Sequence, residues 1–217
     1  MADRDDIPAS DAIVHAVTVR YGALATSAGS LSCGGSLDVA APQPGETVVD
    51  LGCGRGGDIA RAAALVGSGG VAIGVDASEA MLAAARLRVD GLGNVRLVRS
   101  DLASVALPAE SADVVVSNCA INHAPNKRAV FREVHRILRT GGRFAVSDVV
   151  AERELPPEIR GDPAAWAACY GGAIPEPLYL EAIAAAGLED VIVVRRTAPY
   201  ERGGVRVFSI TVQGRRR

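Results

Sequence analysis

The chain has 217 residues and a formal net charge of −2. Its length predicts one domain with room for a full sheet and its helices, and its charge predicts no general attraction to nucleic acid or membranes. No apolar run reaches the roughly 18 residues of a membrane-spanning helix. The start of the chain, with Asp3, Asp5 and Asp6, lacks the basic and apolar regions of a signal peptide. We therefore expect a soluble cytoplasmic protein.

The cysteines are widely spaced and form no C-x-x-C pair; they are Cys33, Cys53, Cys119 and Cys169. This spacing is typical neither of a zinc site nor of a dense disulfide scaffold, so we expect no bound metal. In a reducing compartment we expect thiols rather than disulfides.

Residues 10–21 predict a helix, and residues 22–46, rich in Gly, Ser, Ala and Pro, predict an irregular, lid-like segment. From residue 47 onward, apolar strands alternate with helices, which indicates a parallel α/β sheet. We therefore divide the chain into an N-terminal helix with its lid-like segment, 1–46, and a main ligand-binding unit, 47–217. The predicted strands are 48–51, 71–75, 95–98, 112–117, 143–150, 191–195 and 205–212. Helices are predicted at 58–66, after Ser78, at 127–139, where Gly141 and Gly142 end the helix, and at 178–186.

The last two predicted strands are joined by residues 198–204, which are too few for a crossover helix. They should therefore pair antiparallel. The expected fold is a seven-stranded, mostly parallel sheet that ends in an antiparallel hairpin strand. The proline-rich segment 151–176 is predicted to be an insertion over the binding site.

The first strand ends in Asp50 and runs into a glycine-rich turn and a helix. Gly52, Gly54 and Gly57 satisfy G-x-G-x-x-G, the dinucleotide fingerprint. A carboxylate just before the first glycine would repel a pyrophosphate, but it suits the ammonium and sulfonium of S-adenosylmethionine (SAM). The sequence therefore favours SAM over a dinucleotide. A structural turn whose glycines bind nothing is the remaining interpretation.

Three acids fall at the ends of predicted strands: Asp50, Asp76 and Asp101. Ligands of open α/β sheets lie outside the carboxyl ends of the strands. Asp76 is placed to accept hydrogen bonds from ribose hydroxyls, and Asp101 from an adenine amino group, with Leu102 beside the ring. Each acid alone is also a plausible cap or turn residue, but their order beside a glycine loop indicates a nucleoside site.

Two downstream segments carry a closer resemblance. Residues 113–122, D-V-V-V-S-N-C-A-I-N, are similar to the fourth-strand motif of arsenite methyltransferases. Residues 166–173 resemble the W-x-x-C-x-x-G-A segment of that family, and residues 31–34, 126–130 and 141–149 also resemble it. The similarity covers roughly residues 12–212. The chain thus resembles the class I SAM-dependent methyltransferases, whose fold is Rossmann-like, and within them the arsenite methyltransferases.

The resemblance implies roles for individual residues. In that family cysteine thiolates hold trivalent arsenic, a soft element that prefers sulfur, while SAM donates a methyl group. Cys33 and Cys169 correspond to the substrate thiols, although either could be a small packing residue. His123 is expected near the methyl group, as a pocket wall or as a base. The cofactor-binding residues implied are Asp50, Gly52, Cys53, Gly54, Gly56, Asp76, Ala77, Met81, Asp101, Leu102 and Asn118.

The chain also departs from the long members of that family. It lacks their additional cysteines and their C-terminal domain, so it corresponds to a short form. Two alternatives therefore stay open: a SAM-dependent methyltransferase of a small organic metabolite, with an O-, N-, S- or C-acceptor, and a non-catalytic Rossmann-like protein that binds a dinucleotide or a metalloid. Under both methyltransferase hypotheses, with an arsenical or an organic acceptor, the expected partner is a small-molecule substrate, not nucleic acid or a membrane.

Overall fold

The computed structural model describes residues 10–24 and 35–217, which build one sheet of eight strands. The strand order is β3-β2-β1-β4-β5-β8-β6, with β7 paired to β8. The strands are β1 Thr47–Leu51, β2 Val71–Asp76, β3 Val95–Arg99, β4 Ala112–Asn118, β5 Leu138–Ala151, β6 Glu189–Arg196, β7 Tyr200–Arg202 and β8 Val205–Arg215.

The pairing confirms the predicted fold class. Strands β1 to β5 run parallel to one another, and β8 runs antiparallel to β5, β6 and β7. The sheet has one strand more than predicted, because residues 200–202 of the expected connection fold back as β7 onto β8. The strand order reverses between β1 and β4, so connections diverge there and leave a crevice at the carboxyl ends of the strands.

Helices cover both faces of the sheet. Successive β1 residues Val48 and Val49 point to opposite faces, and both are fully buried. On one face Phe131 and Tyr179 meet edge to face, with ring centroids 5.4 Å apart. No helix in the described residues is long and apolar enough to cross a membrane. The helices are α1 Ser10–Leu24, α2 Ser36–Ala40, α3 Gly57–Val66, α4 Glu79–Arg88, α5 Lys127–Ile137, α6 Pro157–Arg160, α7 Pro163–Ala167 and α8 Glu176–Ala184, with a 3-10 turn at Ile121–His123.

Two predicted boundaries were wrong. The helix α5 ends at Ile137 rather than at the glycine pair, because Leu138 is already extended and its side chain is fully buried in the sheet core. Tertiary burial therefore overrides the local helix signal. The predicted irregular segment 22–46 contains the last residues of α1 and all of α2, whose Leu37 is buried. The assignment of residues 1–46 as a separate lid-like unit stays a prediction.

The helix α4 offers a matched test of the packing. Leu82 is fully buried and Leu87 is 83% exposed on the same helix. We expect Leu82→Ala to lower the free energy of unfolding by about 2–5 kcal/mol, through lost apolar burial and a cavity, and Leu87→Ala to change it by less than about 0.5 kcal/mol. Urea unfolding followed by circular dichroism measures both. Equal losses would contradict the described orientation of α4.

Candidate functional site

A cavity of about 1280 Å³ lies at the carboxyl end of the sheet, at the point where the strand order reverses. This volume exceeds that of a typical small-ligand pocket, so a nucleoside and a second small molecule fit together. Helix α1 contributes Val17, Thr18 and Tyr21 to its wall. The wall also includes ten of the predicted cofactor residues: Asp50, Gly52, Cys53, Gly54, Asp76, Ala77, Met81, Asp101, Leu102 and Asn118.

The glycine loop lets the chain turn tightly and approach the end of β4. Gly52 and Gly54 have positive φ angles of 78° and 52°, a region that L side chains rarely adopt. A Cβ on Gly52 would lie 2.1 Å from the Cβ of Ala120, so no side chain fits at this crossing. The remaining predicted loop residue, Gly56, is not part of the described cavity wall. It is the N-cap residue that precedes α3, and it packs against Ala85 of α4.

Three carboxylates surround the loop. Burial raises the pKa of Asp50 well above its ordinary value, and the charges of Asp58 and Asp76 raise it further. Burial also raises the pKa of Asp76, against the bonds that its oxygens accept from the amides of Gly54 (2.9 Å) and Ser78 (2.8 Å). This concentration of acids favours a cationic ligand and disfavours a pyrophosphate.

Asp58 is a site residue that the sequence reasoning missed. It lies in the first turn of α3 and accepts a 2.8 Å hydrogen bond from Nδ2 of Asn118. Its position directly after the glycine loop could have indicated a site residue, but the sequence analysis assigned it only to the helix 58–66. Asp101 lies at the exposed rim, where its Oδ1 accepts a bond from the Ala103 amide. Ser78, after which a helix was predicted, caps α4, because its Oγ accepts a hydrogen bond from the Met81 amide.

Three polar side chains meet beside the cavity: Tyr21, His123 and Cys169. The Tyr21 hydroxyl lies 3.1 Å from Nε2 of His123 and 3.0 Å from the Cys169 sulfur, and that sulfur lies 3.3 Å from Nε2. Among the described residues, Tyr21 and His123 line the cavity and Cys169 lies behind them. Cys33 lies outside the described residues, so its distance from Cys169 is untested.

His123 is held in one tautomer. Its Nδ1 lies 2.9 Å from the Trp166 carbonyl oxygen, which only accepts, so Nδ1 carries the hydrogen and Nε2 presents a lone pair. Burial, together with the positive charge of Lys127, lowers the pKa of His123 to about 4. The ring is therefore neutral near pH 7. Burial raises the pKa of Tyr21, so its hydroxyl stays protonated.

A buried polar cluster supports the turn that carries His123. Nζ of Lys127 donates to the carbonyl oxygens of Asn122 (3.4 Å) and Ala124 (3.3 Å). Burial lowers the pKa of Lys127, while the nearby Asp148 carboxylate opposes that shift. Tyr179 in turn donates to Asp148. This cluster was not predicted from the sequence, because Lys127 and Tyr179 are 52 positions apart in the chain.

The remaining described cysteines have different surroundings. Cys53 is buried in the glycine loop, and burial raises the pKa of its thiol. A Cβ on Gly74 would meet its sulfur at 2.8 Å, so Cys53 packs tightly on β2. Cys119 has a positive φ of 54° at the end of β4 and also lines the cavity. Cys53 is therefore a small, tightly packed residue of the loop.

The family follows from comparison with known proteins. The family model described as "Methyltransferase domain" matches residues 42–198. The chain belongs to this family. An arsenite methyltransferase from Halobacterium salinarum is 42% identical over 145 residues, covering 66% of this chain and 37% of that protein. The human arsenite methyltransferase is 36% identical over 138 residues, covering 58% of this chain and 37% of that protein.

Two further relatives bear on the site. The crystal structure of an arsenic(III) S-adenosylmethionine methyltransferase from Chlamydomonas reinhardtii matches with a TM-score of 0.73 and 28% identity, covering 95% of this chain and 73% of that one. Nocamycin O-methyltransferase from Saccharothrix syringae is 37% identical over 153 residues, covering 69% of this chain and 52% of that protein. The predicted class I methyltransferase fold and the resemblance to arsenite methyltransferases are confirmed, although the match spans only 37% of the length of the two arsenite methyltransferases above.

The Gly52 crossing predicts a non-additive pair of substitutions. Gly52→Ala adds about 1–2 kcal/mol of left-handed backbone strain and about 1–3 kcal/mol of overpacking against Ala120. We expect the double variant Gly52→Ala/Ala120→Gly to regain the overpacking part, since the opposing Cβ is removed. Urea unfolding of the two single variants and the double variant gives the coupling free energy. Strictly additive losses would contradict the close approach.

The buried, neutral His123 predicts a pH effect on stability. Its pKa is about 4 in the folded chain against an ordinary 6.5, so between these values the unfolded chain binds the extra proton. The free energy of unfolding should therefore fall as the pH drops from 6.5 toward 4, by up to about 3 kcal/mol for this group. Urea unfolding at both pH values should show a smaller fall for His123→Asn. An identical pH dependence in the variant would contradict the burial of a neutral ring.

Proposed function

We propose that this protein is a SAM-dependent methyltransferase whose acceptor is a trivalent arsenical held by cysteine thiols. The observation that carries the proposal is the joining of two features at one cavity. An acid-lined glycine loop suits a cationic nucleoside, and the Cys169 thiol contacts Tyr21 and His123, which line the same cavity. The similarity to arsenite methyltransferases supports the same acceptor.

The donor half of the cavity fits SAM by its chemistry. SAM supplies a methyl group on a positively charged sulfonium. Asp50 and Asp58 contribute negative charge where the ammonium and sulfonium are expected, and together with Asp76 they outnumber Arg55, the cation that the loop itself adds to the cavity wall. The amides of Gly54 and Ser78 orient Asp76, whose oxygens keep lone pairs for ribose hydroxyls. Asp101 and Leu102 would hold the adenine, and Asn118 and Gly52 the methionine end.

The acceptor half is built around sulfur. Trivalent arsenic is soft and prefers thiolate ligands, so Cys169 is the proposed substrate thiol, with Cys33 as its partner. Arsenic has its own lone pair and loses no proton when it is methylated, so the methyl transfer itself needs no general base. The chain therefore contributes alignment and the exclusion of water.

A second candidate function is methyl transfer to a small organic acceptor. The similarity to nocamycin O-methyltransferase favours it, and so does the lone pair that His123 presents at the cavity wall, since a hydroxyl or amine acceptor must lose a proton. The third alternative, a non-catalytic dinucleotide or metalloid binder, is disfavoured for the dinucleotide by the three loop carboxylates. A cytoplasmic location, with neither nucleic acid nor membrane as partner, remains part of the proposal.

The acceptor thiol can be tested separately from the donor site. We expect the wild-type chain to methylate a monomethylated trivalent arsenical in the presence of SAM and a small thiol. Cys169→Ser should lower this rate by at least about a hundredfold, because the hydroxyl does not replace a soft thiolate ligand. The same variant should bind SAM as the wild type does. Methylated arsenicals are measured by chromatography with mass spectrometry, and SAM binding by calorimetry.

Each alternative has its own outcome in these measurements. Full arsenical methylation by Cys169→Ser would contradict the thiol role. A methylated metabolite without any methylated arsenical would select the organic acceptor. Thermal stabilisation by NAD but not by SAM or S-adenosylhomocysteine would overturn the proposal that this is a methyltransferase.

A further inference from the structure

The contact between Tyr21, His123 and Cys169 assembles from three distant parts of the chain. Tyr21 comes from α1, His123 from the 3-10 turn after β4, and Cys169 from the residues after α7. Cys169 has a positive φ of 68°, and non-glycine residues held in that region cluster at functional sites. Its carbonyl oxygen accepts a 2.6 Å bond from Nδ2 of Asn122, which ties its turn to the His123 turn.

The hydrogen bonds among Tyr21, His123 and Cys169 can be assigned a direction. Because Nδ1 of His123 donates to the Trp166 carbonyl, Nε2 has only a lone pair to offer. The two hydrogens available within the triangle are those of the Tyr21 hydroxyl and the Cys169 thiol. In one arrangement the thiol donates to Nε2 and Tyr21 donates to the sulfur. This arrangement needs no movement of heavy atoms, since all three distances are already 3.0–3.3 Å.

We propose that Tyr21 and His123 activate the Cys169 thiol toward soft electrophiles, with His123 Nε2 accepting the thiol proton and the Tyr21 hydroxyl donating to the sulfur. His123 is then a catalytic base for substrate loading rather than for methyl transfer, and Tyr21 is a positioning residue. From the sequence, His123 was expected as a pocket wall or as a base beside the methyl group, and Tyr21 was given no role. The choice of arsenical as the electrophile rests on the proposed function.

The loading step balances with a trivalent arsenical that carries one hydroxide or thiolate ligand. A sulfur–arsenic bond forms between Cys169 and the arsenical, and the bond from arsenic to that ligand breaks. The thiol proton passes to Nε2 of His123 and then to the departing ligand, which leaves as water or as a thiol. Arsenic stays trivalent, so no oxidant or reductant is required. The neutral imidazole is restored for the next substrate.

The test measures thiol reactivity and does not depend on methyl transfer. Iodoacetamide reacts with a thiol by losing iodide while the thiol proton leaves, so its rate reports the activation of Cys169. We expect Cys169 to react faster than Cys53 and Cys119 in the native wild-type chain, followed by mass spectrometry of the peptides. In His123→Asn the Cys169 rate should fall by about a hundredfold, the lower end of what a positioned base contributes. This variant keeps an amide donor for the Trp166 carbonyl.

Tyr21→Phe separates the hydroxyl from the ring. The variant keeps the edge contact with His123, whose ring centroid lies 5.2 Å away, and loses the donor to the sulfur. We expect its Cys169 rate to fall several-fold. The matched controls are His135→Asn on α5 and Tyr200→Phe on the exposed strand β7, which should react as the wild type does. Binding of S-adenosylhomocysteine checks that each variant is folded.

The outcomes distinguish this inference from the proposed function. A wild-type Cys169 rate no higher than that of Cys53, an unchanged rate in His123→Asn, or a higher rate in Tyr21→Phe would overturn it, the last by showing that Tyr21 shields the sulfur. If His123→Asn does not fold, His123→Gln tests the same loss of a basic nitrogen. A chain that shows the expected labelling but methylates no arsenical would refute the proposed acceptor and leave the activation of Cys169 standing.

Discussion

The crossing of the turn after β1 over the end of β4 is the constraint on which the site depends. Gly52 and Ala120 approach so closely that a single added Cβ would overlap. The residues just after β1 form the acid-lined loop. Asn118 ends β4, and it is followed by Cys119 and the turn that ends at His123. The close approach therefore brings the donor half and the acceptor half of the cavity together. Because parallel strands deliver their carboxyl ends to one edge, the fold supplies this meeting point without a second domain.

Charge and burial act against each other at the loop. Asp50 is almost fully buried beside two further carboxylates, an arrangement that costs folding free energy because burial and the charges of Asp58 and Asp76 oppose its ionisation. Such an unfavourable cluster is typical of sites whose ligand supplies the missing charge. A second buried cluster near the 3-10 turn balances its own charge, since Lys127 and Asp148 are buried as an oppositely charged pair. The loop carboxylates suit a cationic ligand, whereas Lys127 and Asp148 neutralise each other.

The sequence was sufficient for the features that depend on local patterns. Apolar runs located the central strands, the glycine loop located the crevice, and the short final connection predicted the antiparallel end of the sheet. Features that depend on distant contacts were not accessible. Tyr21 meets Cys169 across 148 positions, and Asn118 donates to Asp58 across 60 positions. The end of α5 was misplaced for the same reason, because the burial of Leu138 in the sheet is a property of the folded chain.

The position of β8 has a consequence for how the molecule is made. It follows β6 and β7 in the sequence, yet it lies between β5 and β6 and pairs with both. During synthesis β6 therefore emerges with no neighbour to pair with, and β5 keeps an open apolar edge until residues 205–215 leave the ribosome. The sheet is completed only once β8 has been synthesised, and until then the edge of β5 is open to pairing with other chains.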